Sequence, residues 1–247
     1  YSNEIDTGAT PLKGLEPGQQ VVVEAANGKA LGVAYVNPNS LICARLVSRE
    51  PKQGLDRSLL VHRLNQALAL RQRLFVAPYY RLVHGEGDLL PGLVIDRFAD
   101  TLVVQLNTAG MQAVLPELLD ALDKVLSPTT VVLRNDTSGR RQEGLERYVE
   151  VVKGEVADPV LLEENGVRFA APVLDGQKTG WFYDHRINRA WLNQHVAGKR
   201  VLDLFSYVGG WGVQAAAHGA SEVLCVDSSA AALERVAENA ALNGLHE

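Results

Sequence analysis

The chain has 247 residues, 47% hydrophobic and 21% charged, with a formal net charge of −5. That balance is globular, long enough for two or three domains, and the apolar runs are too short to span a bilayer. Cys43 and Cys225 are the only cysteines and each lies in an apolar run, which argues against a disulfide scaffold and fits a reducing cytosol; six scattered histidines give no zinc spacing. No signal peptide is visible, and because the chain opens at Tyr1 we expect the native start to lie upstream.

The charge is uneven. Residues 1–74 carry nine Lys and Arg against six Asp and Glu, residues 75–170 nine against fifteen, and residues 171–247 six against eight. This is either ordinary surface fluctuation or a basic N-terminal module that meets a polyanion, and charge alone leaves both open.

The first segment reads as all-β, with strands around Val21–Glu24, Ala30–Val36 and Leu41–Leu46 and turns at Asn27-Gly28 and Asn37–Ser40. A helix follows over "DRSLLVHRLNQALALRQRLF", with Asp56 or Ser58 as cap and Leu59, Leu60, Arg63, Leu64, Ala67, Leu68 and Arg71 at helical spacing. The middle segment reads as α+β: strands at Tyr80–His84, Gly92–Arg97 and Thr101–Leu106, one helix over 111–126, a β-rich run at 129–136, and a polar loop leading into a strand at Glu150–Lys153. The last segment alternates: a buried strand at 200–205, a small-residue helix closed by Gly219, a buried strand at 222–227, and a helix capped by Ser228 or Ser229 and ended by Gly244. This is the opening β-α-β-α of a doubly wound sheet. The expected domains are therefore 1–73, 74–170 and 171–247. The last is too short for a whole domain of this kind, so we expect the chain to be part of a longer protein.

The turn after the 200–205 strand, "DLFSYVGGWG", lets the backbone approach a ligand at Gly209 and Gly210 and points a helix N-terminus at it. Asp203 lies near the strand's C-terminal end, where such sheets bind ligands. The spacing is not the G-x-G-x-x-G of a nicotinamide site. An acidic residue near the turn suits S-adenosylmethionine, whose sulfonium and ammonium groups attract a carboxylate and which has no phosphate to hold. Asp227, ending the next strand, is placed to accept hydrogen bonds from an adenosine ribose, or alternatively to cap the following helix.

"GQKTGWFYDHR" (176–186), "VLDLFSYVGGWGV" (201–213), "EVLCVDSSAAALERVAENAALNGL" (222–245) and "LLPGLVIDRF" (89–98) together resemble the S-adenosylmethionine-dependent ribosomal RNA large-subunit methyltransferases, of the 23S rRNA cytosine-C5 type. The resemblance covers essentially the whole chain. It implies a PUA-like RNA-binding β domain, an α+β middle domain and a truncated Rossmann-like methyltransferase domain, in a cytoplasmic enzyme with large-subunit rRNA as partner, no membrane association, and a homodimer as one open assembly. It also implies a cofactor pocket formed by Lys178, Thr179, Gly180, Phe182, Asp184, Arg186, Asp203, Phe205, Ser206, Tyr207, Gly209 and Asp227. Arg186 is suited to fork the methionine carboxylate. Trp181 and His185 depart from the family pattern, which leaves their roles open between core and pocket.

With a PUA-like fold, Arg45, Arg49, Lys52, Arg57, Arg63, Arg71 and Arg73 become candidates for sequence-tolerant RNA backbone contacts. Methylating carbon 5 of a pyrimidine needs a thiolate at carbon 6. Cys43 and Cys225 read as small buried hydrophobes, so no catalytic residue is named in this chain and the nucleophile is expected beyond Glu247. Two other readings are a nicotinamide-dependent oxidoreductase and a non-catalytic RNA-binding or ribosome-assembly protein.

Overall fold

Valine-rich alternation on either side of Asn27-Gly28 makes the first hairpin. Gly28 takes the left-handed conformation (φ 78°) that the tight turn requires. β1 (Gln20–Glu24) pairs antiparallel with β2 (Ala30–Val36), which pairs antiparallel with β3 (Ala44–Ser48). β3 starts later than the sequence suggests. The Asn37 N–H reaches the Cys43 carbonyl (2.8 Å) and the Asn37 side chain donates to Glu143, so the intervening residues form a wide loop with Leu41 exposed.

In the computed structural model, which describes residues 1–157 and 159–245, the chain divides into two units, Tyr1–Val156 and Ala157–Glu247. In the first, α1 (Arg57–Leu74), capped by Asp56 Oδ1 on the Leu59 N–H (2.8 Å), leads into β4 (Tyr79–His84), β5 (Leu93–Phe98) and β6 (Thr101–Leu106). Then come α2 (Ala109–Ala113), α3 (Leu115–Leu126), β7 (Thr130–Asn135), α4 (Gly139–Gln142) and β8 (Tyr148–Lys153). The sheet order is β4-β5-β6-β7-β8, antiparallel except for β6 with β7. The single helix expected over 111–126 breaks at Val114, because Pro116 has no N–H to continue an earlier helix and starts α3 instead. One core joins Val33, Tyr35 and Val47 of the small sheet to Leu60 and Leu64 of α1 and Leu82 and Ile95 of the large one. That continuity is why no division falls at 73.

The second unit begins with an antiparallel hairpin, β9 (Val160–Glu164) and β10 (Val167–Ala171), around Asn165-Gly166, both at positive φ. Residues 160–170, counted within the expected middle domain of 74–170, fall in this unit: Asn239 bonds the Ala170 N–H (2.8 Å) and the Val208 carbonyl (2.9 Å). α5 (Arg186–Asn193) precedes β11 (Arg200–Leu204), α6 (Gly212–Ala217), β12 (Glu222–Val226) and α7 (Ala230–Leu242), with β11 and β12 parallel. Both strands were expected to be buried. Instead Leu202, Leu204, Leu224 and Val226 lie exposed, since among the described residues α6 and α7 cover one face only.

Candidate functional site

β11 ends in a turn that regular backbone could not make. Phe205 (φ 59°), Tyr207 (φ 48°) and Gly209 (φ 82°) are left-handed, a costly state for the two aromatic residues and one found where surrounding bonds enforce it. The enforcing group is Asp227, at the end of β12. Its Oδ2 accepts the Tyr207 N–H (2.9 Å) and its Oδ1 the Ser229 N–H (3.0 Å). These backbone bonds, Ser229 first, hold its carboxyl below the usual range, so it is ionised at neutral pH. Capping of α7 falls to Ser229, whose Oγ accepts the Ala232 N–H (3.3 Å). Asp227 is thereby left at the cleft rather than used up as a cap.

The cleft above this turn has a volume of about 360 Å³ and is lined by residues of the second unit alone, including Gln177, Trp181, Phe182, His185, Arg189, Phe205, Ser206, Tyr207, Gly210, Trp211 and Asp227. That size lies in the range of small-molecule sites. Aromatic rings form much of its wall: Phe182 meets Tyr207 edge-on (5.6 Å) and His185 lies 5.8 Å from Trp211. Ser206 lines the cleft, and its buried Oγ has no hydrogen-bond partner among the described residues, a state that asks for a ligand or water.

Asp203 is placed differently from Asp227. It is 8% exposed, lies below the turn, and accepts the Gly212 N–H at the start of α6 (2.9 Å). A Cβ at Gly212 would stand 2.3 Å from the Cys225 Sγ, so a larger residue there would force β12 side chains to shift. Burial raises the Asp203 carboxyl above its ordinary value, against the pull of the Gly212 N–H and the Arg189 charge. Asp203→Asn keeps an acceptor for Gly212 and removes the desolvated charge. A raised folded value means the cost is full above it and is relieved as pH falls through it. The variant is therefore expected to melt at or a few degrees above the parent at pH 7, with the gap closing on acidification in thermal scans.

Of the residues that the sequence singled out, Phe182, Phe205, Ser206, Tyr207 and Asp227 line the cleft, and Asp203 and Gly209 support it from below. Lys178, Thr179, Gly180, Asp184 and Arg186 are not among the lining residues. Exposed Lys178 sits over the Phe182 ring (4.2 Å) and pairs with Asp184 (3.5 Å). Thr179 is buried and its hydroxyl donates to the Trp181 carbonyl (3.3 Å), while Gly180 supplies a left-handed bend (φ 97°). The Arg186 carbonyl accepts from Asn165 (3.1 Å). The segment 176–186 is tied to the turn by Tyr207, whose hydroxyl accepts the Gln177 N–H (3.0 Å).

Sequence reasoning missed Glu164, Arg189 and Gln214. Glu164 is 0% exposed and takes three donors: Trp181 Nε1 (3.0 Å), Arg189 Nε (2.6 Å) and Gln214 Nε2 (2.9 Å). The available signal was "ENGV": an Asn-Gly turn between apolar runs marks a hairpin and puts Glu164 at its tip.

The seven basic candidates of the first unit part company. Arg63 is buried and donates to the Val47 and Leu89 carbonyls; Arg71 is buried and forks Asp88 through two 2.6 Å bonds. Both guanidiniums are spent as internal struts. Arg45 is half-buried beside Glu86 (3.4 Å) and Glu143 (3.7 Å). Arg57 is exposed, 3.9 Å from Asp120, and Arg49, Lys52 and Arg73 are exposed. Cys43 is buried; Cys225 is half-buried, with burial pushing its thiol up to about 11. No group of His, Cys, Asp or Glu among the described residues could hold a metal ion, and no described helix is long and apolar enough to cross a membrane.

Comparison with known proteins agrees with this geometry. Residues 1–49 match a PUA-like domain and residues 80–247 the S-adenosylmethionine-dependent methyltransferase family. The chain is 38% identical over 234 residues to the ribosomal RNA large subunit methyltransferase I of Erwinia tasmaniensis, and 39% over 235 residues to that of Tolumonas auensis. Each match covers 93% of this chain and 59% of the relative, so the chain spans about three-fifths of their length. Among solved structures, a protein of Streptococcus mutans provisionally described as an S-adenosylmethionine-dependent methyltransferase superposes with a TM-score of 0.81 at 24% identity, over 94% of this chain and 60% of that one. That likeness is one of fold. The PUA-like first part and the Rossmann-like cofactor part agree with the expected architecture. The family match spans well over half of the chain, and the chain belongs to the S-adenosylmethionine-dependent methyltransferase family.

Proposed function

We propose that the cleft binds S-adenosylmethionine and that the protein of which this chain is part methylates carbon 5 of a cytosine in large-subunit ribosomal RNA, in the cytoplasm. The observation that carries the donor reading is that Asp227 and Ser206, whose buried hydroxyl has no partner among the described residues, line one aromatic-walled cleft at the C-terminal ends of two parallel strands. Asp227 would take the ribose hydroxyls, Phe182 and Tyr207 the apolar faces, and Asp203 would attract the donor's positive groups. When bound, the donor supplies an electrophilic methyl group. The rRNA reading is supported by the names of the relatives and by the PUA-like match.

Neither cysteine here suits the nucleophile's part. We propose that this thiol lies outside residues 1–247. Residues 1–247 alone are then expected to bind the donor and transfer no methyl group to rRNA in a tritium-transfer assay; transfer would put the nucleophile within them. Mapping 5-methylcytosine in large-subunit rRNA from cells with and without the protein is expected to show one modified position lost; an unchanged map would contradict the substrate assignment.

For RNA contact we retain Arg49, Lys52, Arg57 and Arg73, the exposed members of the basic set. Replacing Arg49 and Lys52 together by alanine is expected to weaken rRNA binding several-fold and to flatten the salt dependence by about 0.7–0.9 in log–log slope per lost phosphate contact. An unchanged slope in filter-binding titrations would return them to being ordinary surface charges.

A further inference from the structure

Arg189 is 2% exposed, on α5, and yet lines the cleft. Burying a guanidinium needs partners for its charge and its donors. Glu164 supplies the charge, bonded to Nε at 2.6 Å, and the Phe182 carbonyl accepts from Nη2 at 2.7 Å. The Trp181 and Trp211 rings lie 5.0 and 5.8 Å from its Cζ. The remaining nitrogen, Nη1, has no acceptor among the described residues. It lies 3.4 Å from where a Cβ on Gly210 would be, and Gly210 itself lines the cleft. A buried cation is thus held along its Nε–Nη2 edge, with Nη1 left beside Gly210 at the cleft.

We infer that Arg189, positioned by Glu164, is the residue that receives the α-carboxylate of the donor's amino-acid end. This rests on the methyl-donor reading above and names the anchor within it. The amino-acid end is a zwitterion, and Arg189 is the buried cation that the cleft offers to its carboxylate. Arg189 faces the carboxylate, and the buried Asp203 carboxylate under the turn adds a negative field on the side left to the ammonium. A fork fixed on one edge by a carboxylate and by a backbone carbonyl loses little freedom when its free nitrogen binds. Arg186, the residue that the sequence suggested for this part, is not among the residues lining the cleft.

The test is calorimetric titration of the protein with S-adenosylmethionine and with its decarboxylated form, which differ by the carboxylate alone. The parent is expected to prefer the carboxylated compound at least tenfold. Arg189→Lys keeps the charge but not the fork, and is expected to cut that preference at least threefold. Glu164→Gln with Arg189→Met removes both buried charges together. It is expected to melt within a few degrees of the parent and to bind the two compounds within about twofold of each other. Arg186→Ala is expected to retain the preference. The assignment is overturned if the parent binds both compounds equally, if either Arg189 variant keeps the full preference, or if Arg186→Ala abolishes it. Failure of the parent to bind either compound would overturn the methyl-donor reading itself, and this assignment with it.

Discussion

Asp227→Ala is expected to weaken S-adenosylhomocysteine binding by about 30- to 150-fold while leaving the protein folded. The carboxylate is held by the Tyr207 and Ser229 N–H groups, ionised at neutral pH, and open to the cleft. Hydrogen bonds to an ionised acceptor contribute about 1.5–3 kcal/mol each when well formed. Two ribose hydroxyls at a site with solvent access put the total near 2–3 kcal/mol, and about 1.4 kcal/mol is tenfold in affinity. Losing the acceptor for Tyr207 also loosens the left-handed turn, so the loss sits at the upper end of that range. Because these backbone bonds hold the Asp227 carboxyl below its ordinary value, its contribution is constant from pH 8 to pH 5. It fades only as pH falls below about 4 and through the folded value. Calorimetry across pH checks both statements, and a loss under threefold would reduce Asp227 to a backbone staple.

A large loss of stability is expected from Gly110→Ala. A Cβ at Gly110 would stand 2.0–2.4 Å from the Tyr35 ring. Ordinarily a ring could swing away. Tyr35 cannot, because it is buried and its hydroxyl is tied to the Pro91 carbonyl (2.8 Å) and to Thr108 Oγ1 (3.0 Å). Overpacking of this kind costs about 1–3 kcal/mol, and an immovable neighbour sets it near the top. At about 2–4 °C per kcal/mol for a unit of this size, the first unit should melt roughly 6–12 °C lower. Combining Gly110→Ala with Tyr35→Leu should cost less than the sum of the two, since one change opens the space that the other needs. Additive losses in thermal melts would mean that the ring is not the obstacle.

Much of the fold was legible because local signals agreed with the final packing. Alternating valines around Asn27-Gly28 and the apolar runs of β11 and β12 appear as strands, and Asp56 caps α1. What the sequence concealed was set by partners distant along the chain. Arg63 and Arg71 carry the pattern of a basic helix edge, and only the carbonyls of Val47 and Leu89 and the carboxylate of Asp88 show that the edge faces inward. The cofactor motif was legible as a motif, but not in how it divides. Phe182, Tyr207 and Asp227 reach the cleft, whereas Thr179 and Gly180 shape the loop behind it. Glu164 was out of reach because its role depends on Trp181, Arg189 and Gln214, 17, 25 and 50 residues away.

The central claim is that an adenosyl methyl donor occupies the cleft beside Asp227. Calorimetric titration of the protein with S-adenosylhomocysteine, and separately with NAD, tests it most directly. The account predicts saturable one-to-one binding of S-adenosylhomocysteine that Asp227→Ala weakens at least 30-fold, and no heat with NAD. Binding of NAD without binding of S-adenosylhomocysteine would contradict it.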